Sequence, residues 1–181
     1  VRTPGRAWGT PLTVTRLRQV LTDDAVHFMG SRPIVVQDIS RRGGGELQPH
    51  ISHQEGRDVD VRLPHRRGAR QWGKATPRNI DAERTWFLIS ALYRTGDLEY
   101  IFLDDKLEKV VRRHVLRTYR EAPVSQLREI REVFLVIVRH EPGHEYHFHV
   151  RFRRGRIGDG HTSKTIALIR KRLADTAVAF R

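Results

Sequence analysis

The sequence predicts an α+β fold: a central antiparallel β-sheet with flanking helices. Three patterns carry that expectation. Asp58 to Leu63 and Glu145 to Phe152 alternate polar and apolar side chains with the period of a half-buried strand. Val133 to Val138 is a continuous apolar run rich in β-branched residues, as in a strand covered on both faces. Leu107, Val110, Val111, His114 and Val115 instead recur at i, i+3, i+4, i+7 and i+8, a single helical stripe. A chain of 181 residues can bury a substantial core. No internal repeat or low-complexity linker divides it, so one domain spanning 1–181 is expected.

The elements follow in order. Residues 1–12 are rich in turn formers and read as an extended lead-in with Trp8 as an anchor. Thr13 can cap a helix carrying Leu17, Val20, Leu21, Ala25 and Phe28, ended by Gly30. Pro33 to Ser40 is a strand candidate, and Arg41 to Gly45 a flexible loop. That loop is not a phosphate loop, because neither Gly-Lys-Ser/Thr nor a helical pattern follows. Residues 64–78 are polar, basic and Pro/Gly-bearing, a loop in which Trp72 is exposed. A helix starting at Asn79 or Asp81 runs through Tyr93 and stops by Gly96. Leu98 to Leu103 is a short strand, and Asp104 caps the striped helix, which Ala122-Pro123 breaks. Ser125 to Arg131 fits either type. The turn Glu141-Pro142-Gly143 leads from Val133–Val138 into the His147 strand, so these two are expected to pair antiparallel. A loop from Gly155 to Gly160 precedes a last helix, capped by Ser163 and running through Ala177, with Ile166, Ile169 and Leu173 inward.

Composition narrows the function. No apolar run reaches the length of a membrane span. Residue 1 is Val, which fits a processed or trimmed start, and no signal peptide is visible. The absence of cysteine excludes disulfides and thiolate ligands, so any metal must be held by His, Asp or Glu. Lys and Arg outnumber Asp and Glu 34 to 21, and the net charge of +13 favours anionic partners. Nucleic acid and a polyanionic cell wall both qualify. No basic stripe interleaved with aromatics supports the former, so nucleic acid is not expected.

The chemistry gathers in two segments. On a strand from Glu145 to Phe152, Tyr146, Phe148, Val150 and Phe152 share a core-facing side, and His147, His149 and Arg151 share the other. Ser52-His53-Gln54-Glu55-Gly56-Arg57-Asp58-Val59-Asp60 adds a third histidine and a candidate carboxylate ligand, Asp60. A catalytic zinc takes three protein ligands and leaves one position open. His53, Asp60 and His149 would be those ligands, with a turn at Gly56 letting His53 and Asp60 reach one ion. His147 would sit beside the metal to take a proton or stabilise an oxyanion, and His144 could fill the second role. His50 would be an outer partner or a ligand of a second ion, and Asp58 could orient a ligand imidazole. A lone His-x-His on a strand is more often structural than metal-binding. It is the combination of both segments with Gly56 between His53 and Asp60 that argues for a site. His27, His65, His114 and His161 are assigned no role. Arg62 and Arg151 face the site side, and Arg151 and Arg153 are expected to be solvated or salt-bridged.

At these residues the sequence resembles the penicillin-insensitive murein endopeptidases. His50-Ile51-Ser52-His53-Gln54-Glu55-Gly56-Arg57-Asp58-Val59-Asp60 is close to the signature His-x-Ser-His-Gln-x-Gly-x-Asp-x-Asp. His144-Glu145-Tyr146-His147-Phe148-His149-Val150-Arg151 is close to a second, His-x-x-His-x-His-Val-Arg. Trp8-Gly9, Asp38-Ile39 with Gly43-Gly44-Gly45, and Tyr100-Ile101-Phe102 look like further landmarks, so the likeness covers most of the chain. The resemblance implies the zinc-peptidase fold shared by the lysostaphin, D-alanyl-D-alanine peptidase and hedgehog group. It implies zinc on His53, Asp60 and His149, with His147 and His144 assisting. It implies hydrolysis of D-alanyl–diaminopimelyl cross-links in peptidoglycan, at a periplasmic or otherwise extracytoplasmic location. The competing expectations are a D-Ala-D-Ala type carboxypeptidase on the same fold and a non-enzymatic polyanion-binding domain.

The positive charge generates one prediction. If the basic surface docks on anionic wall polymer, binding to isolated sacculi weakens as salt is raised. Sedimentation with sacculi across a salt series measures this, and binding indifferent to salt would rule out that role for the charge.

Overall fold

The computed structural model describes residues 3–70 and 72–155. After a 3-10 turn at Pro4–Arg6 come helix α1 (Pro11–His27), strand β1 (Asp58–Arg62), α2 (Ala82–Arg94), β2 (Leu98–Leu103), α3 (Asp105–Thr118), α4 (Val124–Glu132), a π-helical turn (Val133–Ile137), β3 (Val138–His140) and β4 (His147–Phe152). The strands form one sheet in the order β1-β4-β2-β3. The fold is α+β, with a mixed rather than a wholly antiparallel sheet: β4 pairs antiparallel with β1 and β2, but β3 runs parallel to β2.

The topology explains that difference. Strand β3 reaches the edge of β2 only after the α3–α4 crossover, and a helical crossover of this kind returns the chain parallel. Strand β4 has both edges occupied by β1 and β2, so the expected pairing of β3 with β4 does not form. The apolar run Val133–Val138 also departs from expectation. Five of its six residues continue α4 as the π-helical turn, and only Val138 enters a strand. Ile130, Val133, Phe134 and Ile137 lie at i, i+3, i+4 and i+7, so a helical stripe runs through a segment whose composition suggests a strand. Trp86 of α2 stacks on Phe134 with ring centroids 5.3 Å apart.

Pro33 to Ser40 is extended but forms isolated bridges, Val36 to Val61 and Ser40 to Ala7, rather than a strand. Arg62 N donates to Val35 O and Gln37 N to Asp60 O, but Asp60 N donates to Asp38 O. Gln37 and Asp38 thus oppose one residue, a bulge that interrupts the ladder. The lead-in is tied down by backbone rather than by its indole: Trp8 N donates to Ser40 O, Thr10 N donates to Gly56 O, and the Trp8 ring is largely exposed.

Helix α1 begins earlier than expected. Thr10, not Thr13, is the cap, and its hydroxyl accepts from Thr13 N at 3.2 Å. Pro11 suits the first helical position because its missing N–H would have no partner there. Helices α2 and α3 are capped by Asp81 and Asp104, whose carboxylates accept from Arg84 N and Lys106 N. The inward sides of α2 and α3, including Leu88, Ile89, Leu92, Leu107, Val111 and Val115, join Val59, Val61, Ile101, Leu103, Phe148, Val150 and Phe152 in one core. A bulge between Leu98 and Tyr100 lets Leu98 and Ile101, three apart, both turn into it. The other face of the sheet is left polar, and it carries the site. The loop expected over 155–160, beyond Gly155, and the helix expected from Ser163 to Ala177 lie outside the described residues. No helix among the described residues is long and apolar enough to cross a membrane.

One buried ion pair joins α1 to α2. Asp24 (2% exposed) occupies a core position on α1 while Ala25 faces solvent. Arg84 (6% exposed) donates to both its oxygens, Nε to Oδ1 at 2.9 Å and Nη2 to Oδ2 at 2.6 Å. Removing one partner strands a charge, whereas replacing both by apolar groups of similar volume does not. Asp24→Ala is therefore expected to destabilise the fold by about 3–5 kcal/mol, and Asp24→Leu with Arg84→Met to recover most of that loss, in urea denaturation.

Candidate metal centre and active site

Strands β1 and β4 set the floor of the site. Asp60 lies opposite His149, Asp58 opposite Arg151 and Arg62 opposite His147, so alternate residues of both strands share the polar face. His53 arrives from the loop before β1. Its return depends on Gly44, Gly45 and Gly56, whose φ values of +78°, +87° and +70° are left-handed. A Cβ on Gly44 would stand 2.7 Å from Gln54 O, and one on Gly56 would stand 3.0–3.2 Å from backbone atoms of residues 8–10. The tight turn at Gly56 thus packs His53's loop against the lead-in segment and brings it back over β1.

Three atoms meet at the centre. His53 Nε2 lies 3.2 Å from Asp60 Oδ1, His149 Nδ1 lies 3.2 Å from the same oxygen, and the two imidazole nitrogens are 3.2 Å apart. The outward nitrogens have fixed partners. His53 Nδ1 donates to the Ile39 carbonyl at 2.9 Å, and His149 Nε2 donates to Asp58 Oδ1 at 2.9 Å. In neutral rings each inward nitrogen is then a lone pair, and both face an anionic oxygen. Three converging lone pairs repel one another unless a cation sits among them. A tetrahedral ion with bonds near 2.0–2.1 Å separates its ligand atoms by about 3.3 Å, close to the triangle observed. The residues therefore fit a zinc ion in donor type, tautomer and spacing.

Electrostatics agree. Burial would raise the Asp60 pKa, but when a proton on His149 or His53 stands in the cation's place, the hydrogen bonds it makes hold that pKa far below the ordinary carboxylate range. Burial likewise opposes ionisation of Asp58, and His149 and Arg151 outweigh it, lowering its pKa. His149 is pulled the other way: burial would lower its pKa, but Asp58 and Asp60 raise it. That attraction for a proton is what a site shaped for positive charge exerts.

Around the triangle lie the other residues singled out in the sequence. His147 Nε2 is 3.4 Å from Asp60 Oδ1, and burial pushes its pKa down to about 4, so the ring is neutral near pH 7. His144 packs edge-on against His147 (5.2 Å between centroids) and tilts against Phe102 (5.7 Å), with Nδ1 3.1 Å from the Glu141 carbonyl. Of His50, Asp58, His144 and His147, which surround the three candidate ligands, His144 is the one without a hydrogen bond or ion pair to a ligand. His50 Nε2 is 2.8 Å from Asp38 Oδ2, and its Nδ1 is 3.7 Å from Asp60 Oδ2. His50, His53 and Asp60 also offer ligand atoms within 4.8 Å of one another, a second way for this cluster to hold an ion. Arg151 clasps Asp58 through Nε (2.7 Å) and Nη2 (2.9 Å), the salt bridge expected of it.

Sequence patterns missed Asp38 and Arg6. Asp38 accepts from His50, and Arg6 Nη2 lies 2.9 Å from the same Asp38 oxygen. No spacing rule links residues 6, 38 and 50; the bulge opposite Asp60 brings Asp38 there. A cleft of about 430 Å³ opens beside Asp60, His147 and His50, walled by Arg6, Arg62 and Tyr146. Arg62 also stacks on the exposed Trp72, 4.7 Å from the ring centroid. His65 Nδ1 donates to the Arg70 carbonyl, and His27 stacks on Phe87, both away from the centre.

None of the curated proteins compared with the chain matches it. The profile of one family, described as penicillin-insensitive murein endopeptidase, matches residues 2–157, a span holding both histidine-bearing segments and the whole of the sheet. The chain belongs to the penicillin-insensitive murein endopeptidase family.

Proposed function

We propose that this chain, as one domain over 1–181 with the zinc-peptidase fold of the lysostaphin, D-Ala-D-Ala peptidase and hedgehog group, is a zinc metalloendopeptidase. Its substrate would be the D-alanyl–diaminopimelyl cross-links of peptidoglycan, met in the periplasm or another extracytoplasmic space. The family supports a murein peptidase. The observation that supports zinc is the triangle of three 3.2 Å edges, in which two imidazole lone pairs face a carboxylate oxygen.

In this reading His53, Asp60 and His149 hold the ion. Zinc in such a site supplies a Lewis acid that lowers the pKa of water and polarises an amide carbonyl. The chain's residues do the rest. Asp58 and the Ile39 carbonyl fix the tautomers of His149 and His53 so that each presents a lone pair inward. Neutral His147, its Nε2 beside Asp60 Oδ1, accepts the proton of the attacking water. His144, packed against the His147 ring, stabilises negative charge developing on the carbonyl oxygen. His50, between Asp38 and Asp60, steadies the Asp60 carboxylate.

Two experiments test the proposal. Purified protein should contain zinc and convert cross-linked muropeptide dimers into two monomers, and a chelator should abolish the conversion. Release of terminal D-alanine alone would instead identify a carboxypeptidase. In the second, His149→Ala is expected to lose both zinc and activity, whereas His147→Ala keeps zinc while turnover falls by about 10²–10⁴-fold. Loss of zinc in His147→Ala would refute the ligand assignment.

A further inference from the structure

Arg139 lies on the same face of the sheet as the candidate ligands. The register sets Asp60 opposite His149, His149 opposite Phe102 and Phe102 opposite Arg139, so these four form one row across β1, β4, β2 and β3. Neighbouring strands lie about 4.8 Å apart, which puts the Arg139 backbone roughly 10 Å from that of His149. Its guanidinium carbon rests 4.8 Å from the centroid of the Tyr100 ring, and the Arg151 guanidinium approaches the same ring at 5.4 Å. The Tyr100 ring in turn stacks beside His149 at 6.4 Å.

The two cations on this ring differ. Arg151 is neutralised by Asp58. Arg139 is exposed, and among the described residues it meets no carboxylate. Stacking on an aromatic face orients a guanidinium and leaves its N–H edge available to a planar anion. An arginine held in place beforehand loses little side-chain freedom when it binds. The remaining partner it calls for is a carboxylate brought by the substrate.

We propose that Arg139, seated on Tyr100, is a subsite for a free carboxylate on the substrate residue that supplies the amine side of the cleaved amide. This rests on the endopeptidase reading above. In a D-alanyl–diaminopimelyl cross-link the alanyl side is uncharged at the bond, while the carbon bearing the amide nitrogen carries a carboxylate. That anion is the charged group nearest the reacting atoms. Arg139 thus discriminates cross-links by the state of this group, favouring the free acid over its amide.

The test uses the full zinc-loaded chain and two synthetic cross-linked dimers, identical except that this carboxylate is free or amidated. The wild-type protein is expected to prefer the free acid by about 10- to 100-fold in kcat/KM, mainly through KM, as for loss of a charge-assisted hydrogen bond. Arg139→Gln should cleave both dimers with similar kcat/KM and bind zinc as before. Calorimetric titration with the amine-side product peptide, in free and amidated forms, reads the same contact without turnover. Cleavage by wild type with the acid-to-amide ratio unchanged in Arg139→Gln overturns the subsite and leaves the endopeptidase reading standing. Binding that depends on both the carboxylate and Arg139, without cleavage of either dimer, supports the subsite and overturns that reading.

Discussion

A single carboxylate organises the centre of this protein. Asp60 Oδ1 lies within 3.4 Å of nitrogens from His53, His149 and His147, while Oδ2 faces His50. These contacts draw on a loop before β1, on β1 itself and on β4. Burying an ionised carboxylate among imidazole lone pairs is costly unless positive charge accompanies it. The surroundings are built to keep that arrangement in place. The antiparallel ladder sets Asp60 against His149, a backbone carbonyl fixes His53, and Asp58 fixes the other nitrogen of His149. Rotating either imidazole would break its outer hydrogen bond, so the inward nitrogens stay aimed at one point.

A second ring of charge surrounds the first. Asp58 is almost wholly buried and is clasped by Arg151, and Asp38 is shared between His50 and Arg6. Part of the chain's excess of arginine is thus structural, neutralising carboxylates that orient the central histidines. Two further arginines rest on aromatic rings. Arg62 lies on Trp72 at the mouth of the cleft, and Arg139 lies on Tyr100 on the far side of His149. The polar face of the sheet therefore presents a centre suited to a cation, flanked on both sides by arginines resting on aromatic rings. An anionic peptide laid across that face would meet complementary charge on either side of the centre.

Helical and strand periodicity made much of the scaffold legible. Strands β1, β2 and β4, the helices capped by Asp81 and Asp104, and the break before α4 fall where spacing and capping residues point. The errors share a cause. Val133–Val138 reads as a strand by composition, but the helix before it and the burial of Ile130, Val133 and Ile137 keep its first five residues helical. Pro33–Ser40 reads as a strand, but a bulge opposite Asp60 limits it to isolated bridges. Ala25 reads as part of the apolar stripe of α1, yet Asp24, paired with Arg84, takes the core position and Ala25 is exposed. In each case a contact with a residue distant in sequence decides the outcome.

By itself the sequence determined which residue types could do chemistry and which faces they occupy. Two short segments carry the histidines and aspartates, and strand periodicity puts them on the polar side. Only the tertiary structure decided the strand order that sets β4 between β1 and β2, and with it the meeting of His53, Asp60 and His149. It also decided the outer partners, Asp38, Arg6 and the Ile39 carbonyl, and the seat of Arg139 on Tyr100. The physical reason is range: periodicity records the side of an element on which a residue lies, whereas convergence on one point depends on how separate elements pack.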